Sequence, residues 1–169
     1  MSERRVAITG IGVLSPVGNE LEQFWHSLVE GKSGIGSITN MDASNFACRI
    51  GGEIKDFDPK IYFTNPKDAR RTDRYGQMAM AAAKMAYEDS GMGECKFDPF
   101  RFGCMGGSGI GGLMTLEKQH EIYLNKGPSR VSPFTIPMMI GNIASGLISM
   151  EYGLCGPNMS IVTACATAN

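Results

Sequence analysis

Residues 156–169, GPNMSIVTACATAN, combine an apolar run with a single cysteine. The run 159–164 predicts a buried strand, and Cys165 follows it directly. Small residues flank this cysteine, as a sharp turn from a strand into a helix requires. If a helix begins here, its N–H groups and dipole stabilise a thiolate and bind the oxyanion formed when a thioester carbonyl is attacked. The pattern therefore indicates a nucleophile for covalent acyl transfer.

A structural role for Cys165 remains an alternative, because free cysteines are among the most buried residues in proteins. A nucleophilic cysteine also needs a general base, and the chain contains only two histidines. His26 follows Trp25 on a predicted amphipathic helix, where a surface or packing role is expected. His120 lies among charged residues in mid-helix, where it is expected to face solvent. Neither histidine is a convincing base, so the site is incomplete on residue grounds.

The composition excludes several classes of function. The 169 residues are 43% hydrophobic, which is enough for one domain with a core. A net charge of -1 gives no global field that would attract nucleic acid or an anionic membrane. We expect neither partner, because there is also no bilayer-length apolar run and no signal-peptide pattern. The five cysteines lack metal-like spacing, which predicts reduced thiols in a cytosol-like compartment and no metal site.

Predicted strands alternate with predicted helices along the chain, which favours an α/β layered fold. A short hairpin is expected near 49–54. Asn19 is the predicted cap of the first helix and Gly31 its end. The predicted strands are 6–9, 102–105 and 159–164, and the predicted helices are 19–31, 65–91, 113–125 and 138–152.

The segment GGSGIGG, residues 106–112, lies between a predicted strand and a predicted helix. Gly107, Gly109 and Gly112 match the G-x-G-x-x-G pattern of dinucleotide-binding loops. No acidic residue ends a second strand about twenty positions later, where a ribose partner is expected. The favoured interpretation is a set of tight turns and close backbone approaches.

The run PKDARRTDR, residues 66–74, predicts a basic helix face. Its cations are spaced at i, i+3, i+4 and i+7, namely Lys67, Arg70, Arg71 and Arg74. The alternative is a solvated helix face on which Asp68 and Asp73 are local ion partners.

Five segments spread over the whole chain resemble one family when they are taken in order. They are RRVAITGIGVLSPVGN, GSGIGGL, SPFTIP, GLCGPNMSI and TACATAN. The family is that of the β-ketoacyl-acyl-carrier-protein synthases, specifically the elongating type II enzymes (synthase II) of bacterial and plastid fatty-acid synthesis. The resemblance implies a thiolase-like layered αβαβα fold built from two similar strand-helix halves. Residues 1–169 would be the N-terminal half of this domain, ending just after the nucleophile, with the C-terminal half absent.

The resemblance also assigns roles to residues of this chain. Cys165 matches the nucleophile that receives the acyl group from acyl carrier protein, and its N–H matches one of two oxyanion donors. The GSGIGG segment then belongs to the acyl pocket and not to a dinucleotide site. Acyl-pocket positions are Gly109, Ile110, Thr135, Ile136 and Ala164, of which Thr135 and Ile136 fall in the dimer-interface segment. Carrier-protein docking positions are Lys67, Arg70 and Arg71, with Arg74 on the same predicted face.

The implied reaction is a decarboxylating condensation of the Cys165-bound acyl group with malonyl-carrier protein. In the family this step uses two histidines, a lysine, a phenylalanine and a second oxyanion donor, all in the C-terminal half. Residues 1–169 alone are therefore expected to be inactive. The resemblance implies a homodimer without a resident cofactor, in bacterial cytoplasm or in plastid stroma. A non-catalytic chain-length-determining subunit, which usually lacks the cysteine, and a truncated interaction module are the alternatives.

Overall fold

The computed structural model describes residues 5–167, which form two compact units. The first unit contains the described residues up to Asp58 together with Ala82–Glu94. The second contains Pro59–Ala81 and the described residues from Cys95 onward. The elements in chain order are α1 (Leu21–Val29), β1 (Ile35–Ser37), β2 (Ile50–Gly52), α2 (Arg74–Asp89), β3 (Cys104–Gly107), α3 (Leu113–Lys126), α4 (Thr135–Met139), α5 (Ile143–Tyr152) and β4 (Asn158–Ile161).

In the first unit, β1 and β2 form an antiparallel ribbon in which Ile35 pairs with Gly52. The predicted hairpin near 49–54 is thus one strand of this ribbon. Helix α1 ends before Gly31, whose φ of +66° suits a residue without a Cβ. The predicted cap was wrong, because Glu20 precedes the helix and the Asn19 amide donates to the Lys55 carbonyl at 2.6 Å.

The predicted strand at 6–9 was also wrong. Within the described chain no strand pairs with this segment, and the Val6 side chain is 94% exposed. The next residues run against α2 instead: a Cβ on Gly12 would lie 1.9 Å from the Ala82 carbonyl oxygen. The Ile11 N–H donates to Asp89 at 2.9 Å. An apolar run forms a strand only where a neighbouring strand takes up its backbone hydrogen bonds.

In the second unit, β3 and β4 pair in parallel, from Cys104 opposite Asn158 to Gly107 opposite Ile161. Helix α5 packs on both strands through Ser145, which is fully buried. Strand β3 lies two residues later than predicted, and β4 begins one residue earlier and ends three residues earlier than predicted. A parallel pair covered by a helix confirms the α/β class.

The predicted helix 138–152 is two helices, because α4 ends at Met139 and α5 begins at Ile143. The chain is extended at Ile140, with ψ at 137°. The Met139 carbonyl, at the end of α4, accepts a hydrogen bond from the Gly112 N–H at 2.9 Å. The loop that precedes α3 thus supplies a hydrogen-bond donor to this helix end. Helix α3 agrees with its predicted bounds to within one residue.

Helix α2 begins nine residues later than predicted. Residues Asp68–Arg71 form a 3₁₀ turn, and Thr72 is extended with ψ at 131°. Asp73 then precedes α2 and accepts from the Tyr75 N–H. The basic residues of 67–74 therefore do not share one face of a continuous α-helix, and the spacing argument for them was wrong.

The core of the second unit consists of Phe63, Ala69 and Met80, with Tyr62, Leu147 and Ile148 packed around them. Within residues 5–167, no helix has both the length and the apolar character needed to cross a bilayer.

Candidate active site

Cys165 lies in a tight turn after β4. Residues Ala164–Ala166 form a 3₁₀ turn with the cysteine at its centre, and the thiol is exposed. Ala164 has φ of +51°, a left-handed conformation that costs about 1–2 kcal/mol for a residue with a Cβ. The sharp turn that the sequence predicted is present. The predicted helix start is a single 3₁₀ turn as far as Thr167, and 168–169 lie outside the described residues.

Thr167 closes this turn. Its hydroxyl donates to the Ala164 carbonyl at 2.7 Å and accepts from the Thr163 N–H at 3.0 Å. Its methyl group occupies the space beside Gly107, where an added Cβ would lie 2.2 Å from the Thr167 Cγ2. The glycine at the end of β3 thus lets the cysteine turn fold back over the neighbouring strand.

Among residues 5–167, no backbone oxygen accepts a hydrogen bond from the Cys165 N–H. An exposed thiol and a backbone N–H on the same residue are two of the elements that attack on a thioester carbonyl needs.

The glycine loop 108–112 follows β3, and the cysteine turn follows β4. Because the strands are parallel, both segments leave the same edge of the pair. The Gly111 N–H donates to the Ser108 hydroxyl at 2.9 Å, and Gly111 has φ of +78°. Ile110, at the tip of this loop, is 70% exposed.

The end of α4, the helix on which the predicted pocket residues Thr135 and Ile136 lie, is next to the base of this loop. A Cβ on Gly111 would lie 2.4 Å from the Met139 carbonyl oxygen, so the contact is backbone to backbone. The Thr135 hydroxyl donates to the Ser132 carbonyl at 2.6 Å, and Ile136 is 58% exposed. The structure thus brings the loop of Gly109 and Ile110 together with the end of α4.

The predicted docking cations lie on a separate segment. Lys67 and Arg70 are exposed, while the Arg71 guanidinium carbon lies 5.0 Å from the centre of the Phe134 ring. This cation–π contact joins the 3₁₀ turn to the start of α4.

The two histidines lie on helices and not in the cysteine turn. His26 belongs to the first unit, where its Nδ1 is 3.2 Å from Glu30. His120 is exposed on α3 in the second unit. Across the described residues, no group of three or more potential metal-binding side chains occurs.

The residues that support this site were not predicted from the sequence. Asp73 was predicted to be a local ion partner on a solvated helix face, but it is 5% exposed. Its carboxylate accepts from the Thr115 N–H at 2.8 Å and from the Thr115 hydroxyl at 2.6 Å. A local signal existed, because aspartate is a favoured residue immediately before a helix. The partner 42 positions later gave no signal.

Comparison with known proteins identifies the family. A family model described as "Beta-ketoacyl synthase, N-terminal domain" matches residues 3–169. The chain belongs to the β-ketoacyl synthase family.

Named ketosynthases resemble the chain over its full length. A "3-oxoacyl-[acyl-carrier-protein] synthase 2" of Synechocystis sp. is 47% identical over all 169 residues. Its counterpart in Coxiella burnetii is 48% identical over 99% of the chain. In each case the match covers 40% of the relative, so the chain spans less than half the length of these relatives.

A solved ketosynthase structure confirms the fold of this chain. "The ishigamide ketosynthase/chain length factor" superposes with a TM-score of 0.83 and 29% identity, covering 98% of this chain and 41% of the other. The fold is therefore that of the N-terminal half of a thiolase-like ketosynthase, as the five sequence segments predicted.

Proposed function

We propose that the protein containing this chain is a 3-oxoacyl-[acyl-carrier-protein] synthase with Cys165 as its acyl acceptor. The observation that carries the proposal is the cysteine turn. The Cys165 thiol is exposed and follows Ala164, which has a left-handed backbone conformation. A Thr167 hydrogen bond closes the turn, which lies beside the strand that leads into the glycine loop. The names of relatives at 47% and 48% identity supply the reaction class.

The first half-reaction is acyl transfer. The Cys165 thiolate attacks the carbonyl carbon of an acyl thioester on the carrier protein, and the Cys165 N–H donates to the oxygen that becomes negative. Collapse of the tetrahedral intermediate breaks the bond from carbon to the carrier's sulfur, which leaves as a thiolate and takes up a proton. The acyl group is then a thioester of Cys165.

The second half-reaction lengthens the acyl chain by two carbons. Malonyl-carrier protein loses CO₂, and the electron pair of the broken C–C bond remains on the methylene carbon. That carbon attacks the acyl thioester of Cys165, forms the new C–C bond and releases the thiolate. Both substrates arrive as thioesters, so the proposed reaction needs neither a metal nor a resident cofactor. The groups that promote decarboxylation would come from beyond this chain.

The acyl chain would lie between the glycine loop and α4. Ile110 and Ile136 are exposed apolar side chains on these two elements. Ala164 has a small side chain next to the thiol, and Gly109 has no side chain in the loop, so both positions leave room for an acyl chain. In the proposed homodimer, Thr135 and Ile136 would also help to line the partner's pocket.

Acyl carrier protein is the proposed partner, and its docking surface would be the cations of the segment 67–74. These are Lys67, Arg70, Arg71 and Arg74. Arg71 is held against Phe134 at the start of α4, so docking there would act close to the pocket. Charge complementarity of this kind raises association rates more than affinity. The bacterial relatives favour the cytoplasm as the place of action.

A non-catalytic chain-length subunit is the second candidate, because one similar structure contains a chain length factor. Acyl transfer to Cys165 separates the two candidates, since a subunit of that kind would not acylate itself.

The test is a mass measurement on the full-length protein that contains this sequence. After incubation with octanoyl-carrier protein, we expect one octanoyl group per chain, located on Cys165 by peptide mapping. Cys165→Ala should abolish the modification. Cys155→Ala is the matched control, because that thiol is also exposed, and it should acylate like the wild type.

Acylation of Cys165→Ala at the wild-type rate would contradict the proposal, as would an unmodified wild-type protein. The second result would favour the non-catalytic candidate.

A further inference from the structure

Asp73 is a buried carboxylate that the proposed reaction does not use, and it caps two helices at once. One oxygen accepts from the Tyr75 N–H in the first turn of its own helix, α2. The other accepts from both the N–H and the hydroxyl of Thr115 in the first turn of α3. A negative charge at a helix N-terminus stabilises the helix, and here two N-termini share one charge.

Helix α3 has no cap of its own. Gly112 stands immediately before the helix and offers no side-chain acceptor. Thr115 is the third residue of α3, and its N–H is one of those that a cap residue normally satisfies. Asp73, 42 residues earlier, supplies that acceptor. The start of α3 therefore depends on a side chain from another element.

The start of α3 is also the end of the glycine loop, so the same contact fixes the loop. A Cβ on Gly112 would lie 3.1 Å from the Asp73 carboxyl carbon and 2.5 Å from the Met138 carbonyl oxygen. The Cβ side of Gly112 thus faces both the Asp73 carboxylate and the backbone of α4. Ile110, two residues earlier, remains exposed at the loop tip.

Tyr75 links the same helix start to α4. Its hydroxyl donates to the carbonyl of Ile140, which directly follows α4. Burial, followed by the nearby charge of Asp73, raises the pKa of the Tyr75 hydroxyl above its usual range, so the group stays protonated and able to donate. The first turn of α2 therefore holds both walls of the proposed acyl pocket.

We propose that Asp73 is a positioning residue that sets the acyl-chain length accepted at Cys165. It acts through Thr115 on the loop of Gly109 and Ile110, and through the start of α2 on the end of α4. The inference rests on the proposed function, because it concerns the pocket of the same thiol. Long acyl groups must pass the loop, whereas short ones end before it.

The experiment measures the rate of Cys165 acylation in the full-length protein with butyryl-, octanoyl- and hexadecanoyl-carrier protein. Thr115→Val removes the hydroxyl donor and keeps the backbone N–H. Asp73→Asn keeps the shape and removes the charge. Loss of one hydrogen bond to a charged group corresponds to roughly a tenfold change. We expect the hexadecanoyl rate to fall about tenfold and the butyryl rate to change less than about twofold.

Two further variants separate positioning from a general loss of stability. Thr115→Ser keeps the hydroxyl and should restore the wild-type length profile. Thr39→Val removes the hydroxyl donor from an exposed contact of the same pattern in the first unit, where the Thr39 N–H and hydroxyl donate to Glu53. That variant should leave the ratio of hexadecanoyl to butyryl rates unchanged.

Three results decide the matter. A selective loss with long chains, rescued by Thr115→Ser, supports the inference. Equal losses at all three lengths, or no change, overturn it and leave the proposed function intact. No acylation of the wild-type Cys165 by any of the three substrates overturns the proposed function itself.

Discussion

Cys104 and Cys155 are two thiols outside the proposed active site, and their surroundings differ. Cys155 is exposed, whereas Cys104 is partly buried in β3. Burial raises the pKa of the Cys104 thiol, and a hydrogen bond with Ser149 offsets part of that effect. The thiolate is the reactive form of cysteine, so limited access and the raised pKa both lower the reactivity of the Cys104 thiol.

We predict that Cys104 in the folded protein reacts with iodoacetamide more slowly than Cys155 at pH 8. Its rate should also reach half-maximum at a higher pH than that of a cysteine peptide. A raised pKa in the folded state means that Cys104 contributes stability below the ordinary thiol pKa, and that this contribution falls as pH rises through the folded-state pKa. Peptide mapping over a pH series gives both rates.

Unfolding in urea is the control for Cys104, because it should remove the difference between the two thiols. A half-maximal pH at or below that of the peptide would show that the thiol is not held in its protonated form.

At the scale of single residues, the sequence predicted the sharp turn at Cys165, because small flanking residues and a preceding apolar run are local signals. It did not predict Thr167 as the residue that closes the turn, or Gly107 as the space for its methyl group. Those roles arise from the pairing of β3 with β4, which brings residues 60 positions apart into contact. Local patterns carry no information about such pairs.

Asn158 is the main polar link between β4 and α5. Its amide accepts from the buried Ser145 hydroxyl at 2.9 Å, and donates to the Ser145 carbonyl at 2.9 Å and the Ser149 hydroxyl at 2.6 Å. Ser145 is fully buried, and its hydroxyl also donates to the Asn142 carbonyl at 3.0 Å, so removal of the Asn158 amide takes away one of its two hydrogen bonds.

We predict that Asn158→Ala lowers the free energy of unfolding by about 1 kcal/mol, because hydrogen bonds are lost while the Ser145 hydroxyl keeps the Asn142 carbonyl as its acceptor. The measurement is urea unfolding of the full-length protein followed by circular dichroism. Asn142→Ala is the control, because that exposed side chain makes no capping bond at the start of α5, and it should change stability by less than about 0.5 kcal/mol. Equal losses in the two variants would contradict the assignment.

At the scale of elements, the helix boundaries that were predicted are those marked by residues next to them in the sequence. The bounds of α3 were predicted to within a residue, because a glycine stands at each end. The start of α2 and the break between α4 and α5 were not. Both depend on contacts with distant segments, through Asp73 and through the Met139 carbonyl. Tertiary contacts override local propensity at such points.

At the scale of the whole molecule, five sequence segments in the right order predicted the family and the α/β class, and both are confirmed. The segment 6–9 was predicted as a strand and is not one. Large apolar side chains on β3 and β4 are exposed, with Met105 at 64% and Met159 at 49%. An apolar pattern in the sequence predicts that a surface is covered, but it does not identify the element or partner that covers it.

Product analysis with the full-length protein is the decisive test of the proposed condensation. Octanoyl-carrier protein and malonyl-carrier protein are supplied together, and the acyl products are identified by mass. We predict a 3-oxodecanoyl product, two carbons longer than the acyl substrate, with the wild type and none with Cys165→Ala. Formation of the same product by Cys165→Ala, or its absence with a folded wild-type protein, would contradict the account.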